Sequence, residues 1–495
     1  MDEAEGYLWP RWLFLRALGL IFFSAFYAIA FQIHGLIGER GILPAGLYID
    51  AISRVFGPLA RVWFAPTLLW INSSDRALTV VVAAGLIASV LLVLNLWPRL
   101  TAALCTILFL SCIAALQDFS SYQSDGMLLE AGFLSIFFAP RGLRPGLGSS
   151  DPASRFSLFM LRWEWFRIYF ESGLVKLLSG DLHWRNLTAM DDYYQNAPLP
   201  SWMGWYVEQL PHWYHAGTVI ITLVAELVLV LAVFLPRRFR VACFLFVTAL
   251  QIGIIATANY GFLNYIVLAL GVLLLDDRTL AGVKLPFVSS VPREETPRFR
   301  IYRRVETAIL AVAFYTTIVA FAFGASDSFL ALPNRMLQPF RIANAYGLFA
   351  VMTPARYEIE FQGSNDGKVW IAYPFRYKPQ DTNERPGFYG AFQPRFDWNL
   401  WFASLAPWQQ SLWVALTEER LLEGSSSVLG LFRADPFRGK QPAMVRAVLW
   451  QYWFTDLDAK RTTGAWWRRK ELGPFSPVVT RGKDGNAVLS DSLPP

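Results

Sequence analysis

Ala77-Leu-Thr-Val-Val-Val-Ala-Ala-Gly-Leu-Ile-Ala-Ser-Val-Leu-Leu-Val-Leu-Asn-Leu-Trp97 runs for 21 residues without a charged side chain. About 20 apolar residues in helical form cross the hydrocarbon core of a bilayer. A helix that is apolar all round has no face to turn toward water. The stretch therefore reads as a transmembrane helix. Comparable runs lie at 12–33, 101–117, 127–139, 156–178, 217–235, 240–257, 262–275 and 304–323. Two of them are short and extend backward, toward Tyr122 and Asn259. The expected fold is an all-α polytopic bundle of about nine transmembrane helices over residues 1–335. A β-rich α+β exoplasmic domain follows at 336–480, then a disordered tail at 481–495.

Composition agrees. Only 17% of the 495 residues are charged, against about a quarter in soluble domains. The net charge is +6, and Arg and Lys sit in short clusters beside the apolar runs. Such clusters are topology signals rather than a nucleic-acid surface. Arg99; Arg141, Arg144 and Arg155; Arg237, Arg238 and Arg240; and the basic segment from Arg278 through Lys284 and Arg293 to Arg304 fall on one side of a nine-span fold. The positive-inside rule makes that side, and the N-terminus, cytoplasmic. The C-terminal domain is then outside. The three cysteines, Cys105, Cys112 and Cys243, all lie in apolar runs, so the outer domain uses no disulfide.

In that domain Tyr357–Phe361 alternates and leads through Gly363-Ser-Asn-Asp-Gly367 into Val369–Tyr377, a hairpin signal. Helices are expected at Asn399–Leu405 and Gln409–Leu422, a strand at Val445–Phe454, and a basic aromatic tail at Trp466–Lys470.

The run 156–178 carries five ionisable residues. Each costs about 2.5–3.5 kcal/mol at mid-bilayer on insertion scales, so they must face protein or water. At helical spacing Glu164, Arg167 and Glu171 share a stripe and can pair along it. Arg162 and Lys176 lie on the opposite face. One reading is an ion-pair network holding the bundle, with Lys176 reaching to the outer interface. The other is a polar intramembrane site open to the outside. Glu130 and Glu226 stand among aliphatics and need partners. His183, His212 and His215 are spaced too loosely for a zinc site, and neither a metal nor a cofactor is expected. There is no Walker loop, Ser-His-Asp order or Cys-x-x-Cys, so a non-enzymatic role is favoured.

Several strings together resemble the lipase maturation factor family. They are Tyr122-Gln-Ser-Asp125-Gly-Met-Leu-Leu-Glu130, Glu171-Ser-Gly-Leu-Val-Lys176, Trp184-Arg-Asn-Leu-Thr-Ala-Met-Asp191 and Asn259-Tyr-Gly-Phe-Leu-Asn264. In the outer domain Asn344-Ala-Tyr-Gly347, Gly363–Trp370, Pro394-Arg-Phe-Asp-Trp398 and Trp401-Phe-Ala continue the match. The resemblance implies a membrane-anchored factor that helps exported proteins, lipases among them, to fold and assemble. Eukaryotic members sit in the endoplasmic reticulum membrane with this domain in the lumen. Ser124 replaces a Trp usual before the Asp, and the lumenal cysteines of animal members have no counterpart. The second departure puts thiol-redox roles in doubt and suits a bacterial member in a cytoplasmic membrane. Partners implied are an exported client and the bilayer. Trp398, Trp401, Phe402, Trp184 and Arg185 are the candidate client contacts.

A fainter similarity links Ser172-Gly-Leu-Val-Lys176-Leu to vitamin K-dependent γ-carboxylases. It implies the rival reading: an intramembrane enzyme on a quinone-like substrate, with Lys176 as base and Glu171, Glu130 and Asp125 as companions.

Overall fold

The apolar runs are helical at nearly the expected positions in the computed structural model, which describes residues 6–120, 122–282, 297–323, 329–482 and 487–490. In chain order they are α1 (Leu8–Ala30), α2 (Asp75–Val93), α3 (Pro98–Ala115), α4 (Gln123–Phe138) and α5 (Arg155–Leu178). Then come α6 (His212–Leu227), α7 (Arg237–Thr257), α8 (Leu263–Gly271) and α9 (Pro297–Phe323). Local chemistry sets the starts. The Ser154 hydroxyl accepts from Ser157 N at the head of α5, and Pro98 opens α3 where its missing N–H has no partner to lose.

Among the described residues, six helical stretches are long and apolar enough to span: Leu8–Ala30, Asp75–Val93, Pro98–Ala115, His212–Phe234, Arg237–Thr257 and Arg300–Ala322. α4 and α8 are shorter, and α5 is long but carries charge. α4 is buried along most of its length between α3 and α5. A helix shielded from lipid can hold polar groups that a lipid-facing one cannot. α2, α6 and α7 instead turn Val80, Ile220, Leu245 and Ile252 outward.

The basic loops gather at one end of the bundle. Arg99 donates to Ala139 O and to the Tyr302 hydroxyl, Arg141 stacks on Tyr302, and Arg240 reaches Tyr7. Lys284 and Arg293 lie outside the described residues. The C-terminal domain packs on the opposite end.

Its core is an antiparallel sheet with β3 (Met444–Phe454) at the centre. β1 (Arg356–Ser364) pairs along one edge of β3 and carries the short β2 (Ile371–Ala372). β4 (Trp467–Pro474) and β5 (Val478–Arg481) share the other edge, and β6 (Ala487–Ser490) pairs with β5. Two helices, α10 (Arg395–Ala403) and α11 (Trp413–Leu422), cover it.

Three expectations need correction. The second hairpin strand is two residues long, because Tyr373 and Phe375 turn into the core beside Phe361. The basic aromatic stretch is not a tail but strand β4. The tail beyond 480 is ordered in part, since Ala487–Ser490 finds the free edge of β5.

α1 and α2 touch at Gly85, where a Cβ would fall 2.3 Å from the Phe26 ring. Gly85→Ile should therefore cost about 1–3 kcal/mol by overpacking. Thermal unfolding of the detergent-solubilised chain should show the loss.

Candidate functional site

The chain enters the C-terminal domain as an irregular segment, Asn344 to Thr353, laid across the ends of α4 and α5 that lie away from the basic loops. Backbone outside a helix or sheet at this depth has no ladder to satisfy its N–H and C=O groups, so side chains must do it. Arg167 of α5 pairs with Glu130 of α4 and donates to Asn344 O at 2.5 Å. Glu130 in turn accepts from Asn344 N (3.1 Å), Asn344 Nδ2 (3.0 Å) and the Tyr346 hydroxyl (2.9 Å). Glu171 accepts from Tyr346 N at 2.7 Å, Gln123 from Gly347 N at 3.0 Å, and Ser172 Oγ from Leu348 N at 3.1 Å. Gly126 makes room for this. A Cβ there would come 2.9 Å from the Asn344 amide, which instead donates to Gly126 O.

Lys176 closes the next turn. Its Nζ donates to Glu226 Oε1 (2.9 Å), Glu226 Oε2 (2.8 Å) and Leu348 O (2.9 Å), under the Trp184 ring. Gly173 lets α6 approach, since a Cβ there would meet Glu226 Cβ at 2.8 Å. Further along, Trp184 Nε1 donates to Phe349 O, Ser179 to Ala350 O, and Asn196 to Thr353 O; Asp181 accepts from Met352 N.

A second fastening joins α4 to α10. Asp125 takes both guanidinium nitrogens of Arg395, at 2.7 and 2.8 Å, and Arg395 also donates to Phe119 O. Both partners are fully buried. Bidentate geometry of this kind gives direction as well as energy. A third joins β1 to the loop after α5. Arg356 donates to the carbonyls of Gln195, Ala197 and Pro198 while pairing with Glu358, which Lys378 also holds at 2.7 Å.

The candidate residues thus converge, with roles that differ from expectation in four respects. Glu164 is buried but, among the described residues, forms no ion pair, because Glu130 reaches Arg167 from across the helix gap. Lys176 does not extend to the interface, and its partner is Glu226 rather than Glu130 or Glu171. With all three of its protons engaged it is not a free base, and the quinone-enzyme reading finds no support. Trp398, Trp401 and Trp184 are buried, so they do not offer an open surface. Trp398 packs edge-on to Tyr122, completing the contact around Arg395. Phe402 is 45% exposed, and Arg185 is exposed with one bond, to Leu177 O. Arg395, Arg356 and the amides of Asn344 and Tyr346 were not expected to take part. Arg395, Asn344 and Tyr346 were signalled only by membership in the family-like strings, and Arg356 by nothing in the sequence.

Asp125→Ala strands a buried guanidinium and should cost about 3–5 kcal/mol. Asp125→Ala with Arg395→Met should recover most of it, read by thermal unfolding in detergent. The buried Asp397 on α10 offers a pH test. Desolvation pushes its carboxyl up to about 6, partly offset by Lys378 and the N–H groups of Lys378 and Tyr377. The folded value lies above the unfolded one, so its stabilisation is full below about pH 4 and is lost as pH rises through 6. The loss is up to about 3 kcal/mol. Asp397→Asn should flatten that slope in unfolding scans from pH 4 to 7.

The comparisons with known proteins follow the same two parts. The profile "Lipase maturation factor transmembrane domain" matches residues 9–282, and "Lipase maturation factor C-terminal domain" matches 342–477. The chain is similar to Lipase maturation factor 1 of Bos taurus, 30% identical over 96% of this chain and 90% of the relative. It is also 30% identical to Lipase maturation factor 2 of Gallus gallus, over 98% and 84%. Lipase maturation factor 1 of Homo sapiens is 29% identical over 96% and 88%. No solved structure matches. Matched in its membrane half and in its outer half, the chain belongs to the lipase maturation factor family.

Proposed function

We propose that this protein is a membrane-anchored maturation factor that holds exported lipases beside the bilayer while they fold and assemble, and that it is not itself an enzyme. The observation that carries the reading is the clamp. Glu130, Arg167, Glu171 and Lys176 of the membrane helices are engaged in bonds that seat the C-terminal domain on the bundle, which is what a platform needs. In this proposal nine helices cross the membrane, with the N-terminus in the cytoplasm and the outer domain on the exoplasmic side of a bacterial cytoplasmic membrane. Positive loops gathered at one end support that orientation. Client contacts fall on the exposed Phe402, with Leu405 beside it, and on Arg185. Trp398 and Trp401 support Phe402 from beneath.

The test is secretion of a homodimeric lipase from cells with and without this chain. Lipase activity per secreted molecule should fall several-fold in its absence. Phe402→Asp should lower it while leaving the unfolding temperature of the chain unchanged. Unaltered lipase activity without the chain would end this reading.

A further inference from the structure

Between α5, α6, α7 and α8 lies a cavity of about 310 Å³ that the clamp borders but does not fill. α7 packs against Leu229–Phe234, the inner continuation of α6, rather than along α6 itself. Toward the outer end the two helices leave a gap. Gly253 of α7 stands there, lining the cavity, and a Cβ on it would meet nothing within 4 Å. Ile221, on the α6 side, also lines the cavity and is itself 46% exposed. The cavity therefore opens sideways between two lipid-facing helices, and what enters it comes from the bilayer. Trp184, Tyr193 and Phe349 roof it on the outer-domain side.

The lining decides the ligand's chemistry. It is chiefly hydrocarbon and aromatic, which suits an acyl chain. The only ion pair on its wall is closed among the described residues: Lys176 spends its protons on Glu226 and Leu348 O. Nothing is left to neutralise a phosphate or carboxylate, and burying a further unpaired charge is strongly unfavourable. What remains is a row of neutral hydrogen-bonding groups. Asn264 Nδ2 donates to Gln251 Oε1 (2.6 Å), and Gln251 Nε2 donates to the Tyr169 hydroxyl (2.8 Å), which keeps its own proton to give. Hydroxyl and ester oxygens match such a row.

We propose that the cavity binds a neutral glyceride, diacylglycerol, taken laterally from the leaflet next to the outer domain. Its glyceryl head lies against Tyr169 and Gln251, and its chains leave between α6 and α7. The site is independent of whether the client is a lipase.

The experiment uses the full chain in phosphatidylcholine vesicles containing a diacylglycerol with a photoactivatable acyl chain. Adducts should concentrate on α6 and α7 peptides and be competed by unlabelled dioleoylglycerol, but not by oleate or added phosphatidylcholine. Gly253→Trp, which plugs the mouth, and Gln251→Leu should each lower the yield on the order of tenfold. Labelling spread over all lipid-facing helices without competition would mean annular lipid only and overturn the proposal. Equal competition by oleate or phosphatidylcholine would overturn the neutral head. The competition is read on the unsubstituted chain, so it decides the matter even where a variant fails to fold.

Discussion

Arg167 and Glu130 face each other inside the bundle, both almost wholly removed from solvent. An ionised group at bilayer depth is tolerable only when its charge and its hydrogen-bonding capacity are both met. The pair meets the charge but leaves oxygens and N–H groups over. Asn344 and Tyr346 meet those, and they belong to the chain entering the outer domain. The Arg167–Glu130 pair is thus answered only with the C-terminal domain in place. The reverse also holds, since the irregular segment from Asn344 borrows backbone partners from α4 and α5.

Asp125 with Arg395 and Arg356 with the loop carbonyls apply the same logic farther out. Each fastening uses a buried guanidinium, whose planar fork binds several acceptors at fixed angles. Buried ion pairs are weak sources of net stability but strong sources of geometry. Two such pairs and the Arg356 fork on the loop carbonyls, spread over the contact, fix the seat of the C-terminal domain on the bundle.

The clamp also bounds the cavity. Lys176 ties Leu348 to Glu226, so the residue that completes the seat also cancels the charge on the cavity wall and leaves an uncharged chamber. Phe349, next in the chain, forms part of its roof.

Much of the fold was legible in the sequence, because hydrocarbon imposes a simple rule of length and apolarity on each span separately. Residues 77–97 needed no neighbour to be read as a helix, and arginine placement sorted the loops to one end. The Asn365-Asp-Gly367 turn announced β1, but not how short β2 would be, since Tyr373 and Phe375 are drawn into a core that only the assembled domain contains. The intramembrane charges were visible, and so was their need for partners. Their pairing was not: helical spacing placed Glu164 beside Arg167 and hid Glu130, because a one-dimensional stripe carries no information about the helix opposite. Lys176 with Glu226, Asp125 with Arg395, and Glu130 with Asn344 join residues 50 to 270 positions apart. Local chemistry determined the elements and which side chains could not be left alone. Only the packing of α4, α5, α6 and the outer domain against one another decided who satisfies whom, since a buried charge is answered by whatever lies nearest in space.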